Sequence, residues 1–350
     1  MKHLYSTWRV TIAIIAIFVL FIASQQPTFA QDRYRLMFYN VENLFDPFND
    51  SLINDDEFTA EGSRFWTWKR MEEKLNNIYK VITAVGEWDA PTMVGFCEIE
   101  NRFVMERLTK HTPLAKHNYQ LVHKDSPDGR GIDVALIYRP DQFRVEEERF
   151  FRVSYPDNPE RATRDILYAR GILDNRDTLH VFVNHWPSKF GGALASEPGR
   201  IAAARIVREK VDSIKIFYPD ARIVIMGDFN DTPNSRPLVE GLGALPPKEP
   251  LEPKGLYNLH QPYETKGEGT LKFQGAWEVI DMMIVSKGLL NQKHGVYTTL
   301  DGGKIFKGDF LLEEDDRFVG LRPKRTYIGF RYHGGYSDHL PIYIDLFPNR

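Results

Sequence analysis

The 350-residue chain is predicted to fold as an α/β (α+β) domain, because short apolar runs rich in β-branched and aromatic residues alternate along it with stretches of helical periodicity. Composition agrees with that class. Hydrophobic residues make up 42% of the chain, enough for a sizeable core, and charged residues make up 27%, enough for a solvated surface. No repeat or low-complexity segment occurs after residue 31, and no shift in composition demands a second domain.

In chain order, residues 34–39 (YRLMFY) read as a first strand. Residues 69–85 place Met71, Leu75, Ile78, Ile82 and Val85 at helical spacing, the mark of an amphipathic helix. Residues 92–97, 132–138, 166–172 and 179–183 read as buried strands. Ser196 is expected to cap a helix that carries Glu197 and Pro198 in its first turn and stops before Pro219. Residues 222–226, 277–285 and 341–346 complete the strands, and 241–262 and 301–336 read as long loops.

The first thirty residues are of another kind. Lys2 and Arg9 precede an uncharged apolar run of 14 residues, Val10 to Ala23, and then Thr28-Phe29-Ala30. That is the pattern of a secretory signal peptide, and the run is short of the roughly 20 residues a membrane span needs. The expectation is cleavage after Ala30, export to the periplasm or beyond the cell, a single functional domain over 31–350, no integral membrane association after cleavage, and a monomer. A single cysteine, Cys97, excludes an intramolecular disulfide and reads as a small buried hydrophobe rather than a catalytic thiol. Net charge is −3, and −5 once Lys2 and Arg9 are removed (−3 − 2), so average charge does not advertise a polyanion partner.

Polar residues of one chemical kind recur at the ends of the apolar runs: Asn40, Glu98, His185, Asp228 with Asn230, Asp281, and Asp338 with His339. Any one of them alone reads as a solvated or structural side chain. Together they form a set that strand ends can gather round one cleft. Carboxylates and a carboxamide suit a hard cation, Mg²⁺ or Mn²⁺, whereas one cysteine and few histidines do not build a zinc site in these segments. A histidine backed by an aspartate is a held imidazole, able to donate a hydrogen bond or exchange a proton.

The ordered segments YNVENLF, GFCEIEN, GIDVALIY, VNHWPSK, IMGDFND, VIDMMIVS and YSDHLP resemble those of the endonuclease/exonuclease/phosphatase superfamily, in the manner of extracellular bacterial nucleases inferred from sequence. The resemblance covers residues 34–347 and implies a four-layer α/β/β/α, DNase I-like sandwich that hydrolyses phosphate esters. It also implies roles. Glu98 binds the metal with Asn40 beside it, and Asp338 belongs to the metal shell or its surroundings. Asp228 orients or deprotonates the attacking water, and Asn230 holds the phosphate. His339 contacts the scissile phosphate with its ring fixed by Asp281, and His185 stabilises charge on the phosphoryl oxygens.

Lys189, Arg200 and Arg164 are further candidates for a substrate phosphate, with solvated charge or an ion pair as the alternative reading. Glu42 reads as a metal ligand or as a surface or loop-pinning carboxylate, and Arg325 and Arg331 as facing the cleft or the solvent. Trp66 and Trp68 could stack bases but sit at a helix start, where packing is the simpler role. Three functions remain open: a nuclease-like phosphodiesterase acting on nucleic acid, a phosphatase or phospholipase acting on inositol phosphates or sphingomyelin, and an inactive binding protein on the same scaffold.

Overall fold

In a computed structural model, residues 33–155, 158 and 163–349 are described, and the expected leader at 1–30 lies outside them. Strands form where the sequence alternates or runs apolar. In the first sheet, β1 (Tyr34–Leu44) pairs in parallel with β2 (Met93–Ile99), which pairs antiparallel with β4 (Asp133–Tyr138), and that strand pairs antiparallel with β3 (Gln120–His123). On its other side β1 pairs antiparallel with Ile342–Pro348. The second sheet runs β5 (Phe143–Phe151), β6 (Ile166–Leu173), β7 (Thr178–His185), β8 (Arg222–Asp228), then Asp281–Ser286 and Leu256–Asn258.

Side chains alternate across each strand, so each sheet has two faces to cover. Leu36, Phe38, Leu136, Val181, Val183, Val224, Met226 and Ile344 meet between the sheets. The outer face of the first sheet, with Met37, Tyr39, Val94 and Phe96, is covered by Met71, Leu75, Ile78 and Ile82 of α1 (Trp68–Gly86) and by Val104, Met105 and Leu108 of α2 (Arg102–His111). The outer face of the second sheet, with Phe182, Ile223 and Ile225, packs on Ala203, Ala204, Val207 and Val211 of α3 (Ala193–Phe217). Three apolar layers between four tiers of backbone make the α/β/β/α sandwich. No helix among the described residues is long and apolar enough to cross a membrane.

Several boundaries differ from the sequence reading. The helix expected at Ser196 begins at Ala193, after Gly192, whose φ of 115° turns the chain into it. Ser196 lies inside that helix, with its Oγ donating back to the Gly192 carbonyl at 2.8 Å. The strand expected over 277–285 is broken at Val279 and Ile280: Ala276–Glu278 forms a hairpin with Leu271–Phe273, and Asp281–Ser286 joins the main sheet. β5 reads as polar because it is an edge strand with one face in solvent. Cys97 is fully buried, and that burial pushes its thiol well above the usual range, so it behaves as a hydrophobe.

His180 on β7 supplies a pH dependence far from the sheet edge that carries the polar set. It is buried, with Nδ1 2.9 Å from the Tyr168 hydroxyl, and burial, assisted by Arg170, lowers it from 6.5 to about 4. The folded state therefore takes up this proton less readily than the unfolded chain. The stabilisation is complete above pH 6.5 and is lost as the pH falls towards 4. Thermal melts of wild type and His180→Asn between pH 4 and 7 should show a shallower acid loss in the variant, by on the order of 3 kcal/mol across the window.

Candidate active site

Register gathers the site. Across three adjacent strands, His185, Asp228 and Asp281 are consecutive Cα partners, so they form one row at the edge of the second sheet. From the first sheet, Asn40 of β1 is paired with Cys97, next to Glu98. The two sheet edges meet where the Asn40 amide lies 3.1 Å from Asp228 Oδ2, 3.3 Å from Glu98 Oε1 and 3.4 Å from His339 Nε2. Asn40 Oδ1 accepts the backbone N–H of Glu42 at 2.9 Å, which fixes the amide so that its NH₂ faces this cluster.

His339 comes from the loop before the last strand. Ser337 Oγ donates to the Asn40 carbonyl at 2.7 Å and accepts the His339 N–H at 3.0 Å, tying that loop to β1. His339 Nδ1 lies 2.7 Å from Asp281 Oδ2, and Nε2 faces Asp228 Oδ2 at 4.0 Å and Asp338 Oδ1 at 3.9 Å. Burial works to lower this imidazole, but the charge and hydrogen bond of Asp281, with Asp338 and Asp228 beside it, hold it well above its ordinary value. The raised imidazole favours the cationic form, and its Nε2 faces the cleft. Asp228 is pushed from 3.8 to about 7, by burial first and then by the charge of Asp281. A carboxylate poised near neutrality is suited to take a proton from water. His185 Nε2 lies 3.7 Å from Asp228 Oδ2, and burial, with Arg164 and Arg130, keeps its ring neutral.

Asn230 has φ 51°, and its N–H donates to Asp228 Oδ1 at 2.8 Å, while its side-chain amide donates to the Trp186 carbonyl at 3.0 Å. Glu98, Glu42 and Asn43 also lie in the left-handed region, at φ 61°, 52° and 57°. Such backbone costs a non-glycine residue about 1 kcal/mol or more, and its concentration here is the mark of a site held by its surroundings.

A second polar layer was only partly visible in the sequence. Arg325 Nε donates to Glu42 at 3.0 Å, and its Nη2 donates to Asp338 Oδ2 at 2.9 Å. Lys74, buried on α1, donates to Thr326 Oγ1 and to the Tyr336 carbonyl, the latter at 2.7 Å. Burial lowers Lys74 to about 8, against the opposing charges of Glu42, Asp338 and Glu98. Glu42 therefore anchors the loop rather than opening to substrate, and Arg325 reaches the site. Lys74 was missed, although its place between Met71 and Ile78 on the apolar face of α1 was a usable signal.

Of the weaker candidates, Arg200 is buried and fully engaged, with Nε donating to Asp231 at 2.8 Å and Nη1 to Ser196 Oγ at 2.8 Å, so it pins the start of α3 rather than facing substrate. Arg164 donates to Asp128 at 3.1 Å and to the Trp186 carbonyl at 2.7 Å, and it lines a cavity of about 300 Å³ with Arg130, Thr163, Ser188 and Phe190. Lys189 is partly exposed near Asp231 and Glu278, at 3.5 and 3.7 Å. Trp66 is a packing residue, buried with its N–H donating to the Phe45 carbonyl at 2.9 Å. Trp68 is partly exposed beside Phe48 and Phe103.

The donor set fits a hard divalent cation. Glu42, Glu98, Asp228, Asp281 and Asp338 converge on a centre where Lys74, Arg325 and His339 are the opposing groups that act on them. Ligand atoms of Asp228, Asp281 and His339 lie within 4.8 Å of one another, as do those of Cys97, His185 and Asp228. The first group is already committed to a short hydrogen bond, and the second includes a protonated thiol. Glu98 and Asp338 are the carboxylates that remain partly accessible, which favours them as the group that would hold the ion, whereas Asn40, expected beside them, is buried with its Oδ1 engaged by Glu42 and its NH₂ towards the cluster.

A layered sandwich with a carboxylate–imidazole centre at one sheet edge is the architecture of a phosphoesterase. The sequence model of the endonuclease/exonuclease/phosphatase family matches residues 35–347, and the chain belongs to that family. None of the curated proteins gives a significant match. Among solved structures, the chain is similar to the human Nocturnin catalytic domain with bound sulfate (15% identity, TM-score 0.54, covering 91% of this chain and 95% of that one). It is also similar to D. rerio TDP2 complexed with a single-strand DNA product (16%, TM-score 0.54, 90% and 99%). A third is the Bacteroides thetaiotaomicron mannosyl-6-phosphatase (15%, TM-score 0.53, 89% and 99%). At these identities the likeness shows a shared fold.

Asp228→Asn and His339→Ala should each lower turnover at least about a hundredfold, and Asp281→Asn about tenfold or more, with the far-ultraviolet circular dichroism of wild type. Steady-state rates on a chromogenic phosphodiester would check this, and near-normal rates in either of the first two variants would remove the assignment.

Proposed function

We propose that the chain is an exported, divalent-metal-dependent phosphodiesterase that hydrolyses nucleic-acid phosphodiester bonds by attack of water at phosphorus. The observation that carries this reading is the facing pair Asp228 and His339. Asp228 is a buried carboxyl raised to about 7, His339 an imidazole raised by its bond to Asp281, and Asn40 lies between them. In this reading Asp228 holds the attacking water and accepts its proton, and Asn230 aligns the phosphate. His339 donates Nε2–H to a phosphoryl oxygen while Asp281 maintains its charge and orientation. His185, neutral and next to Asp228, hydrogen-bonds a second phosphoryl oxygen. Glu98 and Asp338 would hold the cation, Mg²⁺ or Mn²⁺, with the Asn40 amide steadying Glu98. Such an ion, when bound, neutralises phosphate charge and stabilises the leaving oxygen. The leader pattern of residues 1–30 supports export, and a monomer is the working form.

Nucleic acid is favoured over a simple monoester by a cavity lined by Arg130 and Arg164, whose charges act on His185 and which, though both pair with Asp128, offer a place for a second anionic group. The likeness to TDP2 with its DNA product supports the same substrate class. The modest size of that cavity, about 300 Å³, supports a second reading, a phosphatase acting on a phosphorylated small molecule, in keeping with the likeness to a mannosyl-6-phosphatase.

The purified protein should cleave plasmid DNA or RNA faster than inositol phosphates, sphingomyelin or sugar phosphates when given Mg²⁺ or Mn²⁺, and EDTA should abolish the activity. Faster release of inorganic phosphate from the monoesters would instead establish the second reading. Inertness towards the whole panel with every metal would mark a binding protein.

A further inference from the structure

Outside this centre, the turn between β3 and β4 carries polar groups that the proposed chemistry does not use. His123 ends β3 and Asp133 begins β4, and the loop between them runs through Asp125, Ser126, Asp128 and Arg130. The His123 side chain is only 1% exposed and that of Asp133 only 3%, yet His123 Nε2 stands 3.7 Å from Asp133 Oδ2, too far for a hydrogen bond. Nε2 has no hydrogen-bond partner among the described residues, and neither has the buried Ser126 hydroxyl. On the other ring edge, Nδ1 lies 3.9 Å from Asp125 Oδ1. Burial raises the Asp133 carboxyl, against the opposing pull of His123 and Ser126. Leaving such atoms unsatisfied in the interior is costly, and native proteins avoid it or fill the gap.

A cation would fill this gap. Two ligand atoms each about 2.0–2.2 Å from one ion can stand 3.7 Å apart at an open angle. One ligand atom from each of His123, Asp125 and Asp133 lies within 4.8 Å of the other two. We propose that His123, Asp125 and Asp133 form a second divalent-cation site, structural in role and separate from the catalytic centre, that closes the neck of the 124–132 loop. One imidazole and two carboxylates suit a borderline transition ion, Zn²⁺ above all, better than the Mg²⁺ expected among the oxygens of the centre.

The site has a consequence for the cleft. Asp133 Oδ1 accepts the Ser126 N–H at 2.9 Å, so an ion on Asp133 also steadies the loop. Further along, Asp128 holds Arg164 at 3.1 Å, and Arg164 shares the Trp186 carbonyl with Asn230. Zinc at the neck would therefore stiffen the wall that carries Arg130 and Arg164 without touching the reacting atoms.

The test uses the full purified chain, stripped with chelator and titrated with Zn²⁺, and reads bound metal and melting temperature. To silence the catalytic centre, the titration is repeated in a Glu98→Gln/Asp338→Asn background. One Zn²⁺ per chain should still bind there and raise the melting temperature. Asp125→Asn, whose side chain is 80% exposed, should fold normally and weaken Zn²⁺ by about tenfold or more, and His123→Asn should abolish the site. Co²⁺ in place of Zn²⁺ should give visible absorption that His123→Asn removes. Failure of the double variant to bind Zn²⁺, or equal affinity in it with and without Asp125→Asn and His123→Asn, would overturn the proposal and leave a buried imidazole–carboxylate pair. Neither outcome depends on turnover, so neither bears on the phosphodiesterase reading.

Discussion

The arrangement depends on burying like charges beside one another. Asp228 and Asp281 are cross-strand partners, each about 1% exposed. Two carboxylates cannot both ionise cheaply at that separation from water, and the strain is resolved in two directions. Asp281 holds the His339 ring at 2.7 Å, whereas Asp228 has no such partner among the described residues and is raised to about 7. Acid and base roles thus follow from one row of the sheet, because the row decides which carboxylate receives the imidazole.

That pairing requires a loop nearly sixty residues downstream in sequence to return to the sheet edge, and the protein builds several anchors for it. Ser337 bonds to β1, Arg325 clamps Glu42 and Asp338 together, and Lys74 reaches up from α1 to the carbonyl before Ser337. These anchors are themselves buried charges, so removing one partner leaves the others uncompensated. The same network explains why positive-φ backbone is tolerated at Glu42, Asn43 and Glu98, since each is held by hydrogen bonds from neighbouring segments.

The polar residues singled out at strand ends were brought together: Asn40, Glu98, His185, Asp228, Asn230, Asp281, Asp338 and His339 all stand around one cleft. They were legible because strands of apolar residues end abruptly in polar ones, and a sheet edge is where such ends collect. Arg200 was not legible. An arginine near a glycine turn looks the same in sequence whether it meets solvent, substrate or, as here, Asp231. Lys74 was hidden for the opposite reason, because a lysine within an apolar helical stripe is read past until the partner that receives it is known.

By itself the sequence determined the strands and helices with strong periodicity, the set of polar strand ends, and the family, since all three are written in local pattern or motif order. Only the tertiary structure decided that Glu42 anchors and Arg325 serves the cleft, that Arg200 is structural, that 281–286 is a strand distinct from the hairpin before it, and which carboxylate is protonatable. Those outcomes depend on burial and on partners far away in the chain, and local sequence carries neither quantity.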